Sequence, residues 1–402
     1  MARLLEDASL ALLAEAGVAT PAVRVARSAA EAREAAQAVG GGGPVVVKAL
    51  VPAGKRGKAG AVRRVDGPAE AAAAAGAMLG TTVQRFPVDA VLVSALAPIE
   101  RELFASITFD SQLRQPIVLF SASGGVDIET LAEEAPGALH VWPVDILKGL
   151  RPFEARERCA EAGLEGRALV SVADALVALY RVFRSTDAQL VEVNPLALDP
   201  EGEAVAVSAV VSVDDQALWR HPELEGRIDP DLSNGWRPLT PLEREIRAID
   251  REDPTTAIRF NEFEDGDIGF MMTGGGSGLL SFDTMLRVGG RPATSFDITP
   301  GQVEEKMRRS VAAVLRRPGL KGLIVGGNIS NFIPIDIKVR GVVRALAEAG
   351  VDTRAFPVVF RFDGPNIEEA RRLAASLPGV EFLDGTTPLD AAVKRIVELA
   401  YR

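Results

Sequence analysis

A basic, glycine-rich segment near the N-terminus contains the residues with the clearest potential for chemistry. The sequence VVVKALVPAGKRGKAGAV spans Val45–Val62, where an apolar run delivers Lys48 and a loop then brings Lys55 and Arg56. Glycines allow backbone N–H groups to turn toward an anion, and basic side chains supply the charge that a polyphosphate requires. The segment therefore predicts either a phosphate-binding loop or a solvated basic hairpin tip.

A second candidate is the segment LVEVNPLALD at Leu190–Asp199, where Glu192 and Asn194 are separated by one residue. This spacing on a strand places both side chains on one face, and we expect Pro195 to end that strand. A carboxylate and an amide oxygen side by side are suitable ligands for Mg²⁺. The alternative interpretation is a polar edge strand.

Two glycine-rich turns in the C-terminal part each follow an apolar run and precede a predicted helix. They are TGGGSG at Thr273–Gly278 and IVGGNISNF at Ile324–Phe332. A helix N-terminus offers free N–H groups and the positive end of its dipole to a carboxylate or phosphate. The glycine spacing fits neither a dinucleotide fingerprint nor a P-loop. The pair predicts one anion site at a switch point of a parallel sheet, or tight turns alone.

The elements that must position these residues differ between the two parts of the chain. Up to about residue 235, predicted strands come in neighbouring pairs, such as Leu103–Phe109 with Pro116–Phe120, which is typical of antiparallel sheets in an α+β fold. The proline-rich segment His221–Pro241 is a candidate linker. Beyond it, five short strands alternate with five helices, which predicts an α/β fold with an open parallel sheet between two layers of helices.

The composition restricts the class of protein. The chain has 402 residues, enough for more than one domain, with 45 basic and 55 acidic residues and a net charge of -10. Such a charge disfavours non-specific binding to nucleic acid or to an anionic membrane. Cys159 is the single cysteine, so no internal disulfide is possible, and no apolar run is long enough for a membrane span. We therefore expect a cytoplasmic protein.

In their order and spacing, these motifs resemble the β subunit of succinyl-CoA synthetase over nearly the whole chain. The matching segments are VVVK, AGKRGKAG, GGVDIE at Gly124–Glu129, EVNPL and IVGG. The turn GGNISNF and the segment GPN at Gly364–Asn366 are similar to parts of ATP-citrate lyase and citryl-CoA synthetase. The resemblance implies an ATP-grasp nucleotide-binding domain of two lobes at residues 1–238, followed by a flavodoxin-like, doubly wound carboxylate-CoA ligase domain at residues 239–402.

The resemblance also implies roles for individual residues. The nucleotide would contact Lys48, Lys55, Arg56, Gly57, Ser94, Ala97 and Glu102. The catalytic residues would be Arg56 and Glu192, the latter steadying an incoming phosphohistidine. The Mg²⁺ ligands would be Asn194 and Ser208. The acid substrate or its phosphate would contact Thr273, Gly274, Gly327, Asn328, Ile329 and Arg361.

The reaction implied by the resemblance requires a second subunit. ATP or GTP, with Mg²⁺, would phosphorylate a histidine of an α-type partner that also binds most of the CoA. A small carboxylic acid would then become an acyl phosphate and a CoA thioester, within an αβ or α2β2 hetero-oligomer. His140 and His221 lack a glycine-rich phosphate-accepting context, so we expect structural or solvated roles for both. Phe362 stands where the lyase has a second arginine, which favours a smaller or less charged acid than a tricarboxylate.

Three serines replace acids that this family has near the nucleotide. Ser94 replaces a glutamate that binds the sugar or base, Ser208 replaces an aspartate that ligates Mg²⁺, and Ser123 replaces a further acid. Asp214 or Asp215 could supply the missing carboxylate with a different reach. Two functions therefore stay open. One is a working ligase subunit, and the other is an ATP-grasp subunit that no longer hydrolyses nucleotide and acts as a structural or regulatory partner.

Overall fold

The computed structural model describes residues 2–54, 56–57, 59–124, 136–228, 237–253, 255–331 and 333–402. The chain forms two compact units, Met1–Pro238 and Leu239–Arg402. In the described part of the chain no helix is long and apolar enough to cross a membrane.

The first unit combines helices with short strands. Its strands are β1 (Ala2–Arg3), β2 (Val23–Ala26), β3 (Val45–Ala49), β4 (Val62–Val65), β5 (Thr82–Val83), β6 (Phe86–Pro87), β7 (Val91–Ala95), β8 (Arg101–Asp110), β9 (Gln115–Ser121), β10 (Leu139–Pro143), β11 (Ala188–Leu198), β12 (Ala204–Ala206) and β13 (Ala209–Val213). Its helices are α1 (Glu6–Glu15), α2 (Ala29–Gly40), α3 (Pro68–Met78), α4 (Pro152–Glu161) and α5 (Gly166–Ser185). Short 3₁₀ segments cover Pro136–Ala138, Asp215–Arg220 and Pro222–Arg227.

Two main sheets organise the first unit. A seven-stranded sheet has the order β1-β13-β11-β8-β9-β10 with β12 paired to β11, and a four-stranded sheet has the order β2-β7-β3-β4. Neighbouring strands are antiparallel in both sheets, which confirms the prediction from paired strands. The prediction that Pro195 ends its strand is wrong. Strand β11 continues to Leu198, and its register against β8 shifts between Val193 and Leu196, so that the residue without an N–H lies at an irregularity of the ladder.

Separate apolar cores support the two sheets. The larger sheet packs against α1 and α5, where Leu13 and Leu176 are buried with the strand residue Val191. The smaller sheet packs against α2 and α3 through small side chains such as Ala36 and Ala71. Alanine favours the helix and lets it lie close to the sheet, so the alanine-rich α2 and α3 form a thin layer behind β3.

The second unit has fewer strands and longer connections through helices. Its strands are β14 (Ile258–Glu262), β15 (Ile268–Thr273), β16 (Thr294–Ile298), β17 (Gly322–Ile329), β18 (Val358–Asp363) and β19 (Glu381–Leu383). Its helices are α6 (Pro241–Arg251), α7 (Gly276–Arg287), α8 (Glu304–Leu315), α9 (Ile335–Glu348), α10 (Ile367–Ala374) and α11 (Leu389–Ala400).

The parallel sheet of the second unit has four strands, in the order β15-β17-β18-β19, where the sequence predicted five. Strand β16, expected in that sheet, pairs antiparallel with β14. It begins beside β15 through a parallel bridge between Ile268 and Pro292. At Thr294 the side-chain hydroxyl takes the place of a backbone group in pairing with β15. The N–H of Phe270 donates to Thr294 Oγ1 (3.0 Å), and this hydroxyl donates to the carbonyl of Phe270 (3.1 Å). The ladder therefore stops, and β16 uses its backbone groups on β14.

Helices cover both faces of the parallel sheet. One face buries Phe270 and Ile324 against α7 and α11, and the other buries Met271 and Val325 against α8, α9 and α10. The segment that leads into β16 lies along one edge of β15, and β17 pairs with the other edge. The chain therefore changes direction across the sheet at β15. Ligands of doubly wound sheets bind at the carboxyl ends of strands at such a point. The predicted doubly wound, flavodoxin-like fold is confirmed.

Candidate functional site

Lys48 is held in the interior of the first unit by two fixed acceptors. It lies on β3, between β4 and β7 and opposite Val62 and Leu92. Its ammonium donates to Glu6 Oε1 (2.7 Å) and to the carbonyl of Val207 (3.0 Å), and the residue is 5% exposed. The lysine that the sequence predicts as a phosphate contact therefore has a defined position.

Arg56 lies in the loop after β3 and joins the same cluster. Its Nη1 donates to the carbonyl of Ala49 (3.1 Å), and Nη2 lies 3.4 Å from Ser208 Oγ. Nη2 also forms an ion pair with Glu6 Oε2. Burial alone would raise the pKa of Glu6, but Arg56 and Lys48 outweigh it and hold this pKa below its ordinary value. One buried carboxylate thus joins the two basic residues.

Arg3 is a further basic residue of the first unit, and no motif of the sequence points to it. It lies on β1, opposite Ser212 of β13, next to the strand that carries Glu192. Burial lowers the pKa of Arg3, Glu192 acts in the opposite direction, and Arg56 lowers it further. A two-residue strand shows no alternation of apolar and polar residues, so the sequence offers no signal for it.

Glu6 was also missed, although the sequence does contain a signal for it. Glu6, Leu10 and Leu13 lie on one face of α1, and all three are buried. A carboxylate in line with the apolar face of a helix requires a buried cation as partner. That pattern indicates a buried acid, although it does not identify the cation.

Asn194 and Ser208, the expected Mg²⁺ ligands, lie next to each other. The N–H of Asn194 donates to the carbonyl of Ser208 (3.1 Å). The hydroxyl of Ser208, however, faces the guanidinium of Arg56. Among the described residues no group of three or more His, Cys, Asp or Glu side chains could hold a metal ion. Ser208 fits poorly as a second Mg²⁺ ligand, because its hydroxyl carries no charge and accepts a hydrogen bond from Arg56.

Asp214, a possible substitute for that ligand, has another role. Its side chain accepts a hydrogen bond from the N–H of Gln216 (2.9 Å) and caps the 3₁₀ segment Asp215–Arg220.

His221, at the end of this segment, lies between Asp187 (2.6 Å from Nε2) and Glu223 (3.1 Å from Nδ1), which agrees with the expected structural role.

The remaining nucleotide residues lie on other parts of the first unit. Ser94 is buried on β7 opposite Val46, and its hydroxyl donates to the carbonyl of Ala95 (3.1 Å). Ala97 is half-buried between β7 and β8, and Glu102 is half-buried on β8. The structure shows no contact of these three side chains with Lys48 or Arg56. Gly57 is exposed beside Arg56. The following residues lie outside those the structure describes: Lys55 and most of the GGVDIE segment (125–129).

In the second unit the substrate residues predicted from the sequence meet at the switch point. Thr273 ends β15 opposite Gly327 of β17, and its hydroxyl donates to the carbonyl of Gly326 (3.1 Å). A Cβ on Gly327 would lie 2.5 Å from the carbonyl oxygen of Thr273, and one on Gly326 would lie 2.1 Å from that of Arg361. The close approach of these strands therefore requires glycine at both positions. Asn328 and Ile329 follow as exposed residues.

The turn after β15 already contains an anion from the chain itself. The N–H groups of Gly274 and Gly275 donate to the two oxygens of Asp297 on β16 (3.0 and 3.3 Å). The expectation that these N–H groups are free for a ligand is therefore wrong. Burial lowers the pKa of Lys338 on α9, and the negative charge of Asp297 opposes this shift. Neither Asp297 nor Lys338 was found from the sequence, since no local spacing connects them to the turn.

Arg361 is 5% exposed and anchors the end of β18. Its Nη1 donates to the carbonyl of Gly327 (3.0 Å) and its Nε to that of Thr387 (3.1 Å). Burial lowers the pKa of Arg361, while Asp363 and Asp384 raise it. In this conformation the guanidinium holds β17 and the residues before α11 together, next to Asn328.

The fold and these residues define the class of protein, and comparisons with known proteins agree. The family model of the ATP-grasp domain matches residues 3–198. The chain is 37% identical over 399 residues to the ADP-forming succinate–CoA ligase subunit β of Rubrobacter xylanophilus, covering 99% of this chain and 98% of that protein. It is 37% identical over 374 residues to the GDP-forming subunit β of Thermus thermophilus, covering 91% and 92%. The chain belongs to the family of succinate–CoA ligase β subunits, which confirms the resemblance.

Solved structures give the same fold. The chain is similar over 100% of its length, and over 99% of the other chain, to ATP citrate lyase from Methanothrix soehngenii in complex with citrate and coenzyme A. The TM-score is 0.80 and the sequence identity is 21%. This similarity supports an ATP-grasp domain followed by a flavodoxin-like domain.

Proposed function

We propose that this chain is the β-type subunit of a nucleoside-diphosphate-forming acid–CoA ligase of the cytoplasm. Its ATP-grasp domain, residues 1–238, binds ATP or GTP, and its ligase domain, residues 239–402, contributes to the site of a carboxylic acid. The terminal phosphoryl group passes to a histidine of an α-type partner with release of the diphosphate. It then passes to the carboxylate, and the thiol of CoA displaces phosphate to form the thioester.

The observation that carries this proposal is the pairing of Lys48 and Arg56 on one buried carboxylate, Glu6, in the first unit. Two basic side chains meet there in a protein of net charge -10. Lys48 uses two of its three N–H groups on described acceptors, so one remains to donate to a phosphate oxygen. In this proposal Glu192, whose negative charge raises the pKa of Arg3, holds the imidazolium of an incoming phosphohistidine.

The other nucleotide and metal contacts belong to the same proposal. The nucleotide also contacts Lys55, Gly57, Ser94, Ala97 and Glu102. Asn194 would ligate Mg²⁺, which would offset the negative charge of the phosphates, whereas Ser208 faces Arg56. The α-type partner, which carries the phosphohistidine and most of the CoA site, completes an αβ or α2β2 assembly.

The acid is proposed to bind at the switch point of the second unit. Thr273, Gly327 and Asn328 meet there, and Lys338 adds a positive charge. The relatives named above are succinate–CoA ligases, so a small dicarboxylic acid is the first candidate. Gly274, Ile329 and Arg361 complete the proposed site.

The nucleotide site can be tested by removing one charge at a time. We expect Lys48→Met and Arg56→Met each to weaken nucleotide binding about tenfold or more, since a lost charge-assisted contact is worth about 1.5–3 kcal/mol. Titration calorimetry of the full chain with ATP and GTP measures this. The matched control is Arg64→Met, an exposed arginine on β4. Unchanged affinity in both cluster variants, with a native melting temperature, would contradict the phosphate contacts.

One observation supports the alternative, a subunit that binds but does not hydrolyse nucleotide. Ser208 presents a hydroxyl to Arg56 where a Mg²⁺ carboxylate is expected, and Ser94 is buried with its hydroxyl directed at its own strand. In this alternative the chain stabilises or regulates an α-type partner. Nucleotide binding without phosphorylation of that partner would favour it.

A further inference from the structure

We propose that Glu6 is the positioning residue of the nucleotide site, holding Lys48 and Arg56 at the separation that a polyphosphate requires. This inference rests on the proposed function. Glu6 contacts both cations at once, through Oε1 to Lys48 (2.7 Å) and through Oε2 to Arg56. The carboxylate is contributed by α1, while the cations come from β3 and the loop that follows it.

The position of the Glu6 carboxylate is fixed by the fold. Glu6 is the first residue of α1, where the helix dipole favours a negative charge, and Leu10 and Leu13 on the same face are buried in the core of the larger sheet. Its side chain is 2% exposed, against 6% for Lys48 and 11% for Arg56. A buried carboxylate between two cations cannot turn to solvent without leaving both charges unpaired.

The other contacts of the cations show that Glu6 orients them and does not merely neutralise them. Lys48 also donates to the carbonyl of Val207, and Arg56 to the carbonyl of Ala49. Each side chain is thus held by Glu6 on one side and by a rigid backbone acceptor on the other. One carboxylate leaves a net positive charge on the pair, and the open N–H group of Lys48 remains available to phosphate. Such prior alignment raises affinity because less side-chain freedom is lost on binding.

The test compares Glu6→Gln with a control variant, Glu15→Gln. Glu15 lies on the same helix as Glu6, and its substitution removes an exposed ion pair with Arg227. The probes are whichever of ADP and GDP the wild type binds, and the corresponding nucleoside, titrated into the full chain. We expect Glu6→Gln to weaken diphosphate binding about tenfold and to leave nucleoside binding unchanged, because only the phosphate contacts depend on Glu6. Glu15→Gln changes neither. A variant that is merely less well folded would bind both the diphosphate and the nucleoside more weakly.

A double-mutant cycle separates positioning from a general loss of stability. In the double variant Lys48→Met/Arg56→Met, both cations that pair with Glu6 are absent. The further change Glu6→Gln should then leave diphosphate affinity unchanged relative to the double variant. Glu6→Asp, which keeps the charge but is shorter, restores part of the affinity. Should Glu6→Gln instead bind diphosphate as well as or more tightly than the wild type, Glu6 is a competitor of phosphate and the inference fails. If the wild type binds neither nucleotide, the proposed function fails first and this inference with it.

Discussion

Ser208 is the residue of the first unit that bears most directly on the proposed Mg²⁺ site. It lies beside Asn194 through a backbone hydrogen bond, and its hydroxyl is 3.4 Å from Arg56. A nearby hydroxyl gives Mg²⁺ an oxygen but no charge. In the proposed nucleotide site, basic side chains therefore supply more of the charge that balances the phosphates than a protein-bound metal would.

Ser208→Asp is expected to strengthen Mg²⁺-dependent nucleotide binding about tenfold, equivalent to about 1.4 kcal/mol, because it adds a carboxylate next to Asn194. Ser208→Asn, which adds an oxygen without charge, should give a smaller gain. Calorimetric titrations with and without Mg²⁺ measure the difference. Weaker binding by the aspartate variant would show that Arg56 captures the new carboxylate.

At the residue scale the sequence predicts what lies in a contiguous motif and misses what the fold adds. Lys48 and Arg56 stand in one glycine-rich segment, so their common position was predictable. Glu6 contacts Lys48 across 42 positions of the chain, and the isolated pattern of α1 identifies a buried acid but not its partner. Asp297 is a similar case, since its contacts to Gly274 and Gly275 require β16 to lie beside β15.

At the element scale, strand β16 shows how one side chain changes the pairing of a strand. Its sequence, TSFDI, alternates between buried and partly exposed residues, as expected for a half-buried strand in either a parallel or an antiparallel pair. The periodicity therefore cannot identify the strand with which it pairs. Strand β15 ends at Thr273, where the sequence places a glycine-rich turn after an apolar run. Strand β14 was missed, since IRFNE is partly exposed and contains no apolar run.

Thr294→Val is expected to destabilise the second unit by about 1–3 kcal/mol, because it leaves the buried N–H of Phe270 without an acceptor. Thr294→Ser keeps the hydroxyl and serves as the control. Hydrogen exchange of the full chain should show faster exchange at the Phe270 amide in the valine variant. Equal protection in both variants would mean that the side-chain hydrogen bonds do not hold β16 to β15.

At the scale of the whole molecule, the proposed function assigns nucleotide and acid contacts to this chain and the phosphohistidine to a partner. His221 is held between Asp187 and Glu223, and His140 lies on strand β10 beside Trp142. Membership of the succinate–CoA ligase β-subunit family followed from motifs spread over the sequence. The identity of the acid did not, because the proposed site combines residues from β15, β17, β18 and α9 whose spacing depends on the fold.

The most direct test of the central claim is thioester formation by this chain combined with the α-type chain of its own organism. The measurement follows CoA thioesters with a panel of small mono- and dicarboxylic acids, and phosphohistidine on the α-type chain with labelled ATP and GTP. We predict phosphorylation and thioester formation only when both chains, nucleotide and Mg²⁺ are present, and their loss with Lys48→Met. A stable complex that binds nucleotide yet neither phosphorylates the partner nor forms thioester with any acid would contradict the ligase and support the silent subunit.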